Sequence, residues 1–302
     1  MASSINTPLI NTNQALQDYY HSFESRVGYR LVLGGTRHFG YYEKTSWWPF
    51  PISKSLRAME DHLIRNLGLE EGSKVLDAGC GVGHVSIHLA ENGYQMQAID
   101  VVDHHILKAR RNVKARGLEE KVKIDKGDYH HLDAFTADSF DGAFTMETFV
   151  HATDPEAAAA EFYRILRPGG SLALYEYDHP DFESQSKESS TSWQTINKHA
   201  AMPANDKFAT GVLESILEGA GFEDVVVTDL SDNVMPMLRL FYILAFIPYM
   251  IIAALGLKST FINTVAGYEG YVYRDAARYI AVSARKPLLN GNPGSGEGKK
   301  VR

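Results

Sequence analysis

From about residue 54 to residue 177 the chain alternates between segments with apolar positions at helical spacing and short runs rich in β-formers, with Gly, Asp or Pro at the joins. Short strands are expected at 73–78 (SKVLDA), 95–100 (QMQAID), 121–125 (KVKID), 139–145 (SFDGAFT) and 170–177 (GSLALYEY). Helix–strand alternation of this kind predicts an α/β fold built on a doubly wound sheet. A helix is expected after residue 153, where Asp154 can cap it, Pro155 suits its first turn, and Pro168-Gly169-Gly170 stops the chain beyond it. Another helix (FATGVLESILEGA) and strand (EDVVVTDL) follow residue 206, and a final strand is expected near 278–284, giving seven strands in all.

The pattern breaks between 231 and 270, which reads as an inserted hydrophobic cap before the last strand. Residues 240–257 (LFYILAFIPYMIIAALGL) carry no charge, are short for a bilayer span, and hold Pro248 in the middle. Three readings stay open: a transmembrane helix, disfavoured by length and proline; a buried helix pair broken at Pro248; or a lid over an apolar substrate, with membrane contact left open. The expected divisions are a leader and lid segment (1–53, with an N-terminal helical part), a core (54–230), the cap (231–270), the last core strand (271–285) and a disordered glycine-rich tail (286–302).

A net charge of −7 and a pI near 5.9 supply no basic footprint for nucleic acid, so no nucleic-acid partner is expected. The single cysteine, Cys80, cannot form an internal disulfide, and the polar N-terminus lacks the apolar core of a signal peptide. A cytoplasmic setting is expected, with membrane contact through 240–257 and a homodimer left open.

The strand ending in Asp77 runs into Gly79, Gly81 and Gly83, a tight turn that lets a ligand approach the backbone at a helix start. A dinucleotide fingerprint would require glycine where His84 stands. Asp100, at the end of the next strand, can accept both ribose hydroxyls.

These segments, with GDYHHL (127–132), FDGAFTMETFVHATD (140–154) and LRPGGSLALYEY (166–177), resemble the successive motifs of class I S-adenosylmethionine-dependent methyltransferases. The resemblance implies a Rossmann-like fold and S-adenosyl-L-methionine as cofactor. It places Asp77, Gly79, Gly81 and Gly83 at the methionine part, Asp100 at the ribose, Asp128 and Tyr129 at the adenine, and Glu147 and Thr148 beside the sulfonium. The upstream stretch HFGYYEKTSWWPF (38–50) resembles an element of sterol C24-methyltransferases and related fungal natural-product methyltransferases. That likeness implies substrate-binding roles for His38, Tyr41 and Tyr42, with Phe149 added from the loop after the fourth strand. Trp47, Trp48 and Phe50 are open to a plain core role.

In small-molecule O-methyltransferases of this superfamily, a His and an acidic residue stand where His151 and Glu176 lie here. The resemblance therefore implies His151 as general base oriented by Glu176. METF after the fourth strand is unlike the N-P-P-Y strings of enzymes acting on base or glutamine amines. No metal site is expected, because Glu176, Asp178, His179 and Asp181 lack the spacing of the metal-dependent catechol enzymes. The leading expectation is O-methylation of a hydrophobic secondary metabolite. The alternatives are C-methylation of an isoprenoid or sterol-like acceptor, and a cyclase or regulatory protein that binds the cofactor without transferring methyl.

Overall fold

The computed structural model describes residues 13–288. Residues 1–12 of the expected leader segment and 289–302 of the expected disordered tail lie outside the described residues.

Three helices precede the sheet: α1 (Gln14–His21), α2 (Phe23–Leu33) and α3 (Ile52–Leu67). In α3, Leu56, Met59, Leu63 and Leu67 recur at helical spacing and are buried, so this face packs on the sheet. The alternating core follows as β1 (Lys74–Ala78), α4 (His84–Glu91), β2 (Gln95–Asp100), α5 (Asp103–Ala115), β3 (Val122–Lys126), β4 (Phe140–Met146), α6 (Pro155–Ile165) and β5 (Leu166–Asp178). Asp154 caps α6 by accepting from the Ala157 N–H at 2.9 Å, with Pro155 in its first turn. The Pro-Gly-Gly segment that ends α6 is drawn into β5, so that strand begins four residues earlier than expected. After β5 come α7 (Lys187–His199), α8 (Val212–Gly219), β6 (Glu223–Asp229), α9 (Ser231–Ala254), α10 (Ile262–Val272) and β7 (Arg278–Arg285).

The seven strands form one sheet in the order β3-β2-β1-β4-β5-β7-β6, parallel except for β7, which runs antiparallel between β5 and β6. The chain crosses over between β3 and β4, so β1 and β4 diverge at their carboxyl ends and leave the crevice where such sheets bind ligands. Alternate residues feed opposite cores: Leu76 and Ala143 join Phe140, Phe162 and Phe208 on one face, while Val75 and Phe144 join Met59, Leu63 and Tyr175 on the other.

The stretch after 231 is a helix pair between β6 and β7. The expected break at Pro248 does not occur: α9 runs unbroken through Pro236 and Pro248. Packing against α10 outweighs the roughly 3 kcal/mol that an internal proline costs. Tyr249 stacks on Tyr268 at 3.9 Å, and Glu269 accepts from Tyr249 (2.6 Å) and Lys258 (2.8 Å).

Candidate active site

Two cavities meet at the carboxyl ends of β1, β4 and β5. The first, about 150 Å³, is lined by Asp77, Gly79, Gly81, Asp100, Asp128, Tyr129, Thr148 and His151, with Tyr20 of α1 and His105 of α5. The second, about 300 Å³, lies between α2, α9 and α10 and is mostly apolar, with Val32, Leu33, Phe39, Phe241 and Leu244 in its wall. Arg37, His38, Glu147 and Tyr177 line both, and so mark the junction.

The glycine turn is built for close approach. Gly79 sits at φ +113°, and a Cβ there would lie 2.5 Å from Thr148 Oγ1. That hydroxyl donates to the Ala78 carbonyl at 2.9 Å, tying the end of β4 to β1. Gly81 also has positive φ (+53°) and donates its N–H to Asp100 at 2.8 Å. Gly83 behaves differently: it lines neither cavity and packs its Cα on Ala109, 3.2 Å from where a Cβ would stand. Expected at the cofactor, Gly83 stands where α4 packs on α5 rather than in the wall of either cavity.

Asp100 accepts the Val102 and Gly81 N–H groups at 2.8 Å each and lies 3.3 Å from His105 Nδ1. Burial alone would raise its pKa, but the His105 charge and these hydrogen bonds outweigh it and hold the carboxyl below its ordinary value. It stays an anion with lone pairs to offer. Asp77 is the opposite case: burial pushes it up to about 7 despite the Ser86 hydroxyl that donates to it at 2.5 Å. Asp128 accepts from the His130 backbone (2.9 Å) and ring (2.6 Å), and the Tyr129 hydroxyl donates to the Thr148 carbonyl at 2.9 Å.

Glu147 forms the junction. Its backbone is left-handed, at φ +56°, and its carboxylate accepts from Phe39 N–H (2.7 Å), Tyr177 (2.6 Å) and Tyr279 (3.0 Å). Burial raises its pKa. The N-terminal segment, the end of β4 and strands β5 and β7 are thus pinned to one carboxyl group.

The expected His151–Glu176 pair does not form. His151 Nδ1 lies 2.7 Å from the Ala201 carbonyl, which can only accept, so this nitrogen bears the proton of the neutral ring. Nε2 is left to accept from the Tyr20 hydroxyl at 3.0 Å. Burial pushes the ring down to about 4. Glu176 is fully buried outside both cavities, accepting from Thr148 N–H (3.0 Å) and Phe149 N–H (2.6 Å), because its side chain turns back beneath the loop after β4. Its Oε2 is buried with no hydrogen-bond partner, and burial pushes the carboxyl up to about 8.

Of the expected substrate contacts, His38 lines both cavities, donating from Nδ1 to the Phe39 carbonyl (2.9 Å) with Nε2 3.5 Å from Glu60. Tyr41, Tyr42 and Phe149 line neither. Tyr41 stacks on His62, Tyr42 donates to the Pro49 carbonyl (2.8 Å), and Phe149 is sealed among Tyr129, Phe162 and Phe208. Each is turned inward by the apolar packing it completes. Trp47, Trp48 and Phe50 stand at the surface, 66, 63 and 49% exposed. Tyr20, Arg37, His105 and Tyr177 were not singled out by sequence, since only the fold brings α1 and α5 over the crevice. Among the described residues no cluster of side chains fits a metal ion.

The model of the methyltransferase domain family matches residues 76–174. The S-adenosyl-L-methionine-dependent Diels-Alderase iccD of Talaromyces variabilis is 44% identical over 91% of this chain and 95% of its own length. The sterol 24-C-methyltransferase ERG6 of Saccharomyces cerevisiae is 29% identical over 73% of this chain and 56% of its own. Among solved structures, the [4+2]-cyclase SpnF superposes with a TM-score of 0.74 at 22% identity, covering 93% of this chain and 98% of that one. The Gly79–Gly81 turn, the ionised Asp100 and the crevice they line fit the cofactor in the Diels-Alderase's name. The chain belongs to the class I S-adenosyl-L-methionine-dependent methyltransferase family, with S-adenosyl-L-methionine as its cofactor.

Proposed function

We propose that the protein is a [4+2] cyclase that holds S-adenosyl-L-methionine in the first cavity and folds an apolar, linear small molecule in the second, closing a ring without methyl transfer. The observation that carries this reading is the 44% identity to a Diels-Alderase across nearly the whole of both chains. The site's chemistry supports it. A [4+2] cycloaddition converts three π bonds into one π bond and two carbon–carbon σ bonds, and no proton leaves, so no base is required. His151, with its lone pair taken by Tyr20, suits such a reaction better than it suits hydroxyl deprotonation. O-methylation, the leading expectation from sequence, has correspondingly less support.

In this reading Asp77, Gly79 and Gly81 hold the methionine part, Asp100 the ribose, and Asp128 with Tyr129 the adenine. When bound, the cofactor supplies a fixed sulfonium charge beside the junction. The apolar walls around Phe39 and Phe241 compress the diene and dienophile ends toward bonding distance, an entropic contribution. Arg37, at the junction of the two cavities, stands where a carbonyl conjugated to the dienophile would be polarised by hydrogen bonding. A second reading, methyl transfer to carbon, is favoured by the Phe39, Tyr177 and Tyr279 rings packed around the Glu147 carboxylate, a setting that stabilises a carbocation.

Mass separates the two. The purified protein is added, with cofactor, to a metabolite extract of the source organism lacking this gene. Cyclisation yields a product of unchanged mass that has lost conjugated-diene absorbance; a gain of one CH₂ in mass instead overturns the proposal.

A further inference from the structure

Beyond its packed side, α9 presents a second apolar face. Ala245, Tyr249 and Ile252 turn toward the protein, whereas Ile243, Ile247, Met250, Ile251 and Leu255, also at helical spacing, are 54–69% exposed. A soluble surface helix would carry polar residues there. The most apolar 18-residue run of α9 has a mean hydropathy of 2.0, with 28% of it buried. Beside the inner end of this run, Arg239 donates to the Trp47 carbonyl at 3.0 Å and lies over the Trp47 ring, next to the exposed Trp48 and Phe50. Indole rings beside a cation are the residues that settle at a bilayer's polar–apolar boundary.

One feature selects a lipid surface over a second copy of the chain. Leu244 and Pro248 line the larger cavity and are themselves exposed on α9, so the cavity opens beside the apolar face. A second copy seated there would close that mouth, whereas a fluid hydrocarbon layer would leave it open to a lipophilic ligand.

We infer that α9 rests on a membrane surface, its exposed face among the acyl chains near the headgroups, and that the larger cavity loads its ligand from the bilayer. This placement is independent of whether the ligand is then cyclised or methylated. With no basic cluster on the face among the described residues, attachment is apolar, so neutral lipid suffices and salt does not release it.

The test is flotation of the full chain with neutral phosphatidylcholine vesicles. Wild type floats at both 0.1 M and about 0.5 M salt, and I247E/I251E reduces the floating fraction by about tenfold or more, while cofactor affinity and unfolding midpoint stay at wild-type values. W47A/W48A reduces flotation to a lesser extent. Three results overturn the inference: wild type that stays at the bottom, a double variant that floats as well as wild type, or a dimer in sedimentation that I247E/I251E abolishes without vesicle binding by either protein.

Discussion

Replacing Glu147 tests how the junction is held. Its carboxylate accepts from one backbone N–H and two tyrosine hydroxyls, all within 3.0 Å, and its backbone is left-handed. Glu147→Ala strands these buried donors and keeps the strained φ. A stranded buried donor costs about 1–3 kcal/mol, and the hydroxyls can rotate toward other acceptors, so a net loss of about 3–5 kcal/mol is expected. Glu147→Gln keeps one acceptor oxygen in place for Phe39 and Tyr279, and its amide can donate to the Tyr177 oxygen, so it should lose only about 1 kcal/mol. Glu147→Gly loses the same bonds as alanine but relieves the backbone at φ +56°, recovering about 1 kcal/mol. Urea unfolding followed by tryptophan fluorescence should rank stability as wild type, Gln, Gly, Ala. An alanine variant as stable as wild type, or a glutamine variant less stable than alanine, would refute the account of this clamp.

Gly79→Ala places a methyl 2.5 Å from Thr148 Oγ1 at φ +113°, and should abolish cofactor binding in titration calorimetry; Gly81→Ala, whose Cβ meets only Arg37 Cδ at 3.7 Å, should bind measurably. Equal effects would show that the turn is not shaped by Thr148. Asp100→Asn removes the anion while keeping its size, and should weaken cofactor binding about 10- to 100-fold; unchanged affinity would contradict the ribose assignment. His151 is held neutral, its folded pKa of about 4 lying below the unfolded 6.5, so the unfolded chain binds a proton that the native chain refuses between these values. Stability relative to His151→Gln should therefore fall as pH drops from 6.5 to 4, by up to about 3 kcal/mol, and stay level above pH 7. A relative stability that instead rises as pH drops below 7 would mean that the charged ring is favoured.

Local chemistry was legible in the sequence and long-range assembly was not. The strands and the Asp154 cap depend on neighbours within a few residues, and the Gly79–Gly81 turn and Asp100 stand out as a glycine pattern and an acid at a strand end, so pattern reading marked all of them. Gly83, Tyr41, Tyr42 and Phe149 stand beside the right elements but are turned into packing by residues distant in sequence, such as Ala109 against Gly83 and Phe208 against Phe149. Pro248 reads as a helix break only when α10 is ignored. The larger cavity has no local signature at all, since it depends on contacts such as Phe39 against Phe241 and the Glu24 carboxylate accepting the Thr264 N–H at 2.6 Å. The missed tyrosine Tyr20 sits on α1, whose one readable signal is Asn13, which caps the helix by accepting from Leu16 N–H.

The central claim, a cofactor bound but not consumed, is tested most directly by quantifying S-adenosyl-L-methionine and S-adenosylhomocysteine across many turnovers of product formation. The account predicts that S-adenosyl-L-methionine is recovered intact while product accumulates in large excess over protein. One S-adenosylhomocysteine formed for each product would contradict it.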